Sequence, residues 1–155
     1  MSYKVSLESY EATYTELSPL YEAAFTEIAN RLKKDGIDMA PFNPLVSEYI
    51  SLERNGGLLT YVLRDDTGEA KGFCTVYLAN DMRNGELMAQ EDAIYIVPEC
   101  RTGVGKTLVQ CILIDLRNRG VQRVIISALD AFGVAKIWRR IGFRNLATQL
   151  IYSFT

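Results

Sequence analysis

The order of predicted elements makes this chain one mixed α/β domain, and three observations carry that reading. Apolar residues recur at three- and four-residue steps over 9–34, 44–55 and 103–119, the period of amphipathic helices. Three β-rich runs follow one another over 58–97 with turn residues between them, the pattern of antiparallel pairing. A glycine loop over 101–106 then leads into a helix, so the strand after it returns by a crossover. At 155 residues the chain is long enough to bury a core as a single domain, 1–155.

Residues 3–7 form a short candidate strand. From Ser9 to Lys34, Tyr10, Tyr14, Leu17, Tyr21, Phe25, Ile28 and Leu32 mark one helical face. Pro19 fits a first turn better than an interior, so two helices (9–17 and 19–34) or one kinked helix both satisfy the pattern. Asp35-Gly36 ends the run, and 36–45, with two prolines, reads as a loop. A second helix over 44–55 stops at Asn55-Gly56-Gly57. Strands follow at 58–64, 70–79 and 87–97; the first pair is joined by Asp65-Asp-Thr-Gly68 and the second by a longer loop at 80–86. The helix 103–119 is closed by Gly120. A strand over 121–129, a short helix over 132–141 capped by Gly142, and a last strand over 144–154 complete the order β-α-α-β-β-β-α-β-α-β. The sheet is therefore mixed, antiparallel in its first half.

Composition narrows the chemistry. The chain has no histidine, which excludes Ser-His-Asp and Cys-His catalysis and every His-containing metal site. A base must be Asp, Glu, Tyr, Cys or Lys, or a water held by them. Cys74, Cys100 and Cys111 are odd in number and share no metal-ligand spacing, so reduced thiols and no metal site are expected. No apolar run approaches the ~20 residues of a membrane span. The first residues, Met-Ser-Tyr-Lys-Val, carry no signal-peptide core, so a cytoplasmic protein without membrane contact is expected. Charge is uneven: residues 1–99 hold eight Lys/Arg against seventeen Asp/Glu, and 100–155 hold nine against two. The positive part suits a polyanionic ligand.

The stretch 91–106 concentrates these features. Glu91 and Asp92 stand at the entry of a strand, so they point to opposite faces. Asp92 precedes Tyr95 by three residues, so a regular strand would put Tyr95 on Glu91's face. After Pro98, the loop Arg101-Thr-Gly-Val-Gly-Lys106 offers backbone N–H groups at a helix start, a site for phosphates.

This order, with Pro-Glu-Cys-Arg-Thr-Gly-Val-Gly-Lys over 98–106 and Ile-Trp-Arg-Arg-Ile-Gly-Phe over 137–143, resembles the GNAT N-acetyltransferase superfamily. Phe42-Asn43-Pro44 and the strand over 92–99 resemble the small GNAT proteins of bacteriophages. The resemblance implies a mostly antiparallel central sheet flanked by helices and splayed between its fourth and fifth strands. It implies acetyl-CoA as cofactor, its pyrophosphate on the N–H groups of Thr102, Gly103, Val104, Gly105 and Lys106, with Arg101 beside them. Its pantetheine arm would lie along Tyr95, Ile96 and Val97. Lys136, Arg139 and Arg140 would face the adenosine 3′-phosphate or water. The family loop begins Arg/Gln-x-x-Gly, yet that first position here is Cys100, with the arginine one residue later. Where many members place a tyrosine that protonates the leaving thiolate, this chain has Trp138, whose indole N–H donates a hydrogen bond but is no acid near neutrality.

The expected reaction is direct acetyl transfer to an amine of a small molecule or protein. Asp92, at the family's frequent carboxylate position, or Glu91 takes the proton; Tyr95 is a further catalytic candidate, Tyr152 is a candidate acid, and a backbone N–H of the fourth strand would hold the oxyanion. Glu22, Glu27, Asp35 or Asp38 on the helical walls could attract an ammonium. A homodimer fits the resemblance. Nucleic acid is not the expected partner, because one polyphosphate ligand already accounts for the basic residues around the loop. Two rivals stand beside this reading: a catalytically idle CoA-binding or regulatory protein, and a nucleic-acid-directed modifier or binder.

Overall fold

The computed structural model describes residues 2–129 and 133–154. Its elements run β1 (Lys4–Glu8), α1 (Tyr10–Lys33), α2 (Val46–Arg54), β2 (Leu58–Arg64), β3 (Ala70–Asn80), β4 (Leu87–Ile96), a 3-10 turn (Pro98–Cys100), α3 (Val104–Asn118), β5 (Arg123–Ile125) and α4 (Ala135–Ile141). The strands form one sheet in the order β1-β2-β3-β4-β5. Each of the first three pairings is antiparallel, and β4–β5 is parallel. The mixed, mostly antiparallel sheet is the predicted fold class.

The sheet separates two apolar layers. On one face α3 packs Leu108, Ile112 and Leu116 against Tyr61, Leu63, Cys74 and Val76. On the other, α1 covers Leu58, Val62 and Phe73 with Tyr10, Leu17, Tyr21 and Ala24, and α2 adds the partly buried Val46, Tyr49 and Ile50. Of the two arrangements open for 9–34, the single helix is the one formed, with Pro19 inside it. The proline removes one backbone bond, yet Leu17 and Tyr21 on either side of it are buried, and that packing holds the helix through the break. Ser9 caps its start by accepting from the Ala12 N–H at 3.1 Å. Glu53, near the end of α2, accepts from the Ser9 hydroxyl and the Tyr10 N–H, tying the two helices at one corner.

Two features place the site. The first is a β-bulge in β4: Thr75 pairs with Ala93 and Val76 with Glu91, leaving Asp92 as the extra residue. A bulge bends its strand and re-aims the side chain it carries. The second is the short reach of β5, which meets β4 only along Met88–Gln90. Among the described residues that side of β4 has no strand partner from Glu91 to Ile96, so the two strands open into a V. This is the splay between the fourth and fifth strands.

Two expectations at the end of the chain are corrected. The strand predicted over 121–129 shrinks to Arg123–Ile125, because β4 diverges after Gln90. The strand predicted over 144–154 is not formed: a strand needs a ladder, and these residues lie outside the sheet, with Leu150 and Phe154 more than nine-tenths exposed. The helix predicted from Phe132 is seen from Ala135; its first position lies outside the described residues. Among the described residues no helix is long and apolar enough to cross a membrane.

Candidate active site

The bulge governs which side chains meet. Glu91 and Asp92 do point to opposite faces, but Tyr95 joins Asp92's face rather than Glu91's, because the extra residue shifts the alternation by one. Ala93 and Tyr95 sit with the α1/α2 layer, and Ile94 and Ile96 with the α3 layer.

On the α1/α2 face, Asp92 accepts three hydroxyl hydrogen bonds. Tyr49 of α2 donates to Oδ2 at 2.9 Å, Thr75 of β3 donates to Oδ2 at 2.9 Å, and Tyr77 of β3 donates to Oδ1 at 2.6 Å. Burial and the Asp92 charge raise the Tyr49 phenol well above its ordinary range. Burial and the bond to Asp92 push Tyr77 up to about 12. Both phenols therefore stay protonated and keep donating through the neutral range. Tyr10, Tyr21, Tyr49 and Phe73 stand around the same cavity, of about 170 Å³, with Asp92 and Thr75 in its lining. Tyr10 stacks on Tyr49 at 4.8 Å between ring centres, and Tyr21 meets Phe73 edge-on at 4.6 Å. A second, more open groove of about 450 Å³ shares Phe25, Phe42, Pro44 and Tyr49 with the first and runs out past Leu45 and Glu48.

On the other side of β4, Glu91 is half-buried and accepts from the Ser127 N–H at 3.3 Å, spanning the V to the segment after β5. Desolvation raises its carboxyl above the ordinary glutamate range; the Ser127 bond opposes the shift and the Asp92 charge adds to it.

At the far end of β4 the chain turns at Pro98, and α3 starts after Gly103. Gly103 has φ 78°, a left-handed conformation that suits glycine, and a Cβ built there would meet nothing within 4 Å. Gly103 at the N-cap supplies no side-chain cap, so among the described residues the first N–H groups of α3 stand uncapped at the positive end of the helix. Thr102 and Lys106 are exposed beside it, while Val104 and Gly105 are half-buried. Val97 donates its N–H to the Lys71 carbonyl of β3's edge, so Ile96 turns its own peptide groups the other way, toward the V. An open glycine turn and a glycine-started helix beside the outer side of β4, where Arg101 already takes the Ile96 carbonyl, fit the pyrophosphate of acetyl-CoA and leave the Ile96 N–H to face a pantetheine arm.

Arg101 does not point out from the loop. Its Nε donates to the Ile96 carbonyl at 2.8 Å, Nη2 pairs with Glu27 Oε2 at 2.7 Å, and the guanidinium lies 5.3 Å from the Tyr95 ring centre. It clasps α1 to the end of β4. Of the acidic wall residues, Glu27 is thus paired with Arg101 and Asp35 with Arg31 at 3.0 Å. Lys136 is exposed on α4, and Arg139 donates to Asn145 at 3.2 Å. Tyr152 is 80% exposed, packs on Phe154 at 5.1 Å between ring centres, and is not brought to the cavity. Trp138 is buried, with its indole N–H unpartnered among the described residues. Cys74 and Cys100 are buried and Cys111 is exposed; among the described residues no cluster of His, Cys, Asp and Glu is placed to hold a metal.

Sequence reasoning did not single out Tyr21, Tyr49, Thr75 or Tyr77. The available signal was the run of tyrosines where Leu or Phe would fill a core as well: a buried tyrosine brings a hydroxyl that needs a partner.

The chain shares its fold with solved acetyltransferases. It overlays a ribosomal-protein-alanine N-acetyltransferase from Brucella melitensis biovar Abortus 2308 at TM-score 0.73 and 18% identity, covering 99% of this chain and 100% of that one. An aminoglycoside acetyltransferase from an uncultured soil metagenomic sample gives 0.75 at 15% identity, with both chains fully covered. Glucosamine-6-phosphate N-acetyltransferase from Arabidopsis thaliana gives 0.66 at 15%, again with both fully covered. No curated protein matches the chain in sequence. The model of the acetyltransferase (GNAT) family matches residues 11–143. With that match over most of its length and the fold just described, the chain belongs to the acetyltransferase (GNAT) family.

Proposed function

We propose that this protein transfers the acetyl group of acetyl-CoA to an amine by direct attack. One observation carries the reading: a single strand, β4, carries the cavity's carboxylate, Asp92, at its middle and leads past its last residue to a phosphate-ready helix start, with the V alongside. Thr102 to Lys106 would hold the pyrophosphate through backbone N–H groups, with Lys106 and Lys136 adding charge. The outer side of β4 at Tyr95, Ile96 and Val97 would align the pantetheine arm, chiefly through the Ile96 N–H, since the Ile96 carbonyl accepts from Arg101 and the Val97 N–H is given to Lys71. Arg101 would keep that edge fixed against α1 rather than touch phosphate.

When bound, acetyl-CoA supplies an acetyl carbon joined to sulfur, and transfer replaces that C–S bond with a C–N bond while the electron pair leaves on sulfur. Asp92 accepts a proton from the incoming ammonium, so that the nitrogen has a lone pair to attack with. Tyr49, Thr75 and Tyr77 fix the carboxylate for that step. A β4 backbone N–H facing the V holds the developing negative oxygen. Overall an ammonium and a thioester become an amide, a thiol and one released proton. Glu91, half-buried on the other face, and Tyr95, packed under Arg101, are positioning residues in this scheme.

Calorimetric titration with acetyl-CoA tests the cofactor, and a thiol-release assay across an amine panel tests the reaction. No binding at tens of micromolar sinks the reading. Trp138 motivates a second one, a CoA-binding protein without turnover, which binding with no thiol release would favour. A nucleic-acid role is weaker, since Arg101, Arg119 and Arg123 of the basic half are each paired with a carboxylate. Likeness to small phage-type members, cytoplasmic residence and a homodimer complete the proposal; the exposed apolar side chains Leu146, Leu150 and Phe154 support the dimer, which sedimentation reads directly.

A further inference from the structure

We infer that the acceptor is a compact amine with one positive charge and an apolar body about the size of an aromatic ring, its ammonium seated on Asp92 inside a box of aromatic side chains. This rests on the acetyl-transfer reading above and narrows its substrate class.

The cavity's chemistry is one-sided. Among the described residues Asp92 is the one charged side chain in its lining. Among the described residues no Lys or Arg forms an ion pair with it; its three partners are neutral hydroxyls. A carboxylate offers about four lone-pair positions, so three hydroxyls leave about one for a ligand. A half-buried carboxylate with no cationic partner and one free position matches a single ammonium. The walls match it too. Tyr10, Tyr21, Phe25, Phe42, Tyr49 and Phe73 line the space, and aromatic faces attract a desolvated cation.

Size and polarity set the rest of the molecule. The cavity holds about 170 Å³, and an apolar cavity of about 150 Å³ accepts benzene. There is room for one ring or a short branched chain. Beyond Asp92 and its donors, the polar atoms of the lining side chains are the Tyr10 and Tyr21 hydroxyls, and that of Tyr21 is buried and unpartnered among the described residues. An aminosugar brings several hydroxyls, and each one buried without a partner loses its hydration with nothing in return. The box therefore selects against aminosugars, aminoglycosides and peptide N-termini.

The test is binding without chemistry. Calorimetry with 2-phenylethylamine, 2-phenylethanol and glucosamine, each with and without free coenzyme A, reads the box directly because no acetyl group is present. The amine should bind roughly 30-fold or more tighter than the alcohol, from the charged hydrogen bond and the aromatic contacts together. Asp92→Asn should erase most of that difference. Phe42→Ala, at the half-buried rim, should weaken the amine about tenfold and leave acetyl-CoA binding unchanged, and it serves if Asp92→Asn does not fold. Equal binding of amine and alcohol, or glucosamine binding best, overturns the proposal. Thiol release measured separately keeps the two claims apart. An amine that binds in the box but is never acetylated refutes acetyl transfer and leaves the box standing. Acetylation of glucosamine but not of 2-phenylethylamine refutes the box and leaves transfer standing.

Discussion

Asp92→Asn separates the chemical role of the bulged carboxylate from its structural one. The side chain receives hydroxyls at 2.9, 2.9 and 2.6 Å. Asparagine keeps one acceptor oxygen, and the hydroxyls left facing its NH₂ can turn and accept, so the net is stretched but not emptied. The expected stability loss is about 1–3 kcal/mol, the range for disturbing hydrogen bonds to a charged group. For a domain of this length that is a fall of roughly 2–10 °C in Tm. Loss of the base should cost about 10²–10⁴-fold in kcat, or about 3–5 kcal/mol of barrier, with the fold intact. The assay is thiol release at saturating acetyl-CoA, run well below the Tm of both proteins. Tyr77→Phe is the control: it removes one donor, keeps the carboxylate, and should cost only about tenfold. An Asp92→Asn protein within about threefold of the parent kcat would refute the base assignment. So would Tyr77→Phe being equally damaging, since the hydroxyl net and not the carboxylate would then be what matters.

Three further outcomes are expected. Gly103→Glu puts a carboxylate about 5 Å from the proposed phosphates, a repulsion of about 3 kcal/mol at an effective dielectric near 20, and should weaken acetyl-CoA at least 100-fold by calorimetry; Gly103→Ala, with open space at its Cβ and only the positive φ to bear, should bind it nearly normally. Gly72→Ala would bring a Cβ to 2.7 Å from the Tyr95 carbonyl oxygen and 3.0 Å from Ile96 Cγ1, so β4 must shift; unfolding should show a loss of about 1–3 kcal/mol and KM for acetyl-CoA should rise, while an unchanged Tm would mean the strands part freely there. Glu91 has a raised carboxyl, so the folded state holds its proton more tightly than the unfolded one, and stability falls as pH rises from the ordinary glutamate value through the folded value and stays lower above it. Glu91→Gln should therefore stabilise the protein near pH 7 and flatten that slope in denaturant titrations; a less stable variant at neutral pH would show that the Ser127 bond outweighs the burial cost.

The fold was legible because its signals are local. Period and turn chemistry place β2 to β4 and α3, and the glycine loop marks the start of α3. The interior of the site was less legible, for a geometric reason. Alternation along a strand assumes a regular ladder, and one extra residue at Asp92 moves Tyr95 to the other face. Nothing in the residues from Glu91 to Tyr95 announces that shift, because a bulge is set by how β4 meets β3. The hydroxyl net is invisible for a similar reason: Tyr49 is 43 residues from Asp92 in sequence. Arg101 shows a distant partner of another kind. Its place in the loop suggests phosphate, but Glu27, 74 residues away, claims it. Apolar alternation over 144–154 reads as a strand, yet a strand exists only with a partner, and β5 offers three residues of edge.

The central claim is that this chain moves an acetyl group from acetyl-CoA to an amine. Incubating the purified protein with acetyl-CoA and 2-phenylethylamine, with mass spectrometry of the amine and thiol detection in the same sample, tests it most directly. The account predicts N-acetylated amine and free coenzyme A appearing in equal amounts, at a rate that Asp92→Asn sharply reduces. Free coenzyme A without acetylated amine, or no product with any amine offered, would contradict it.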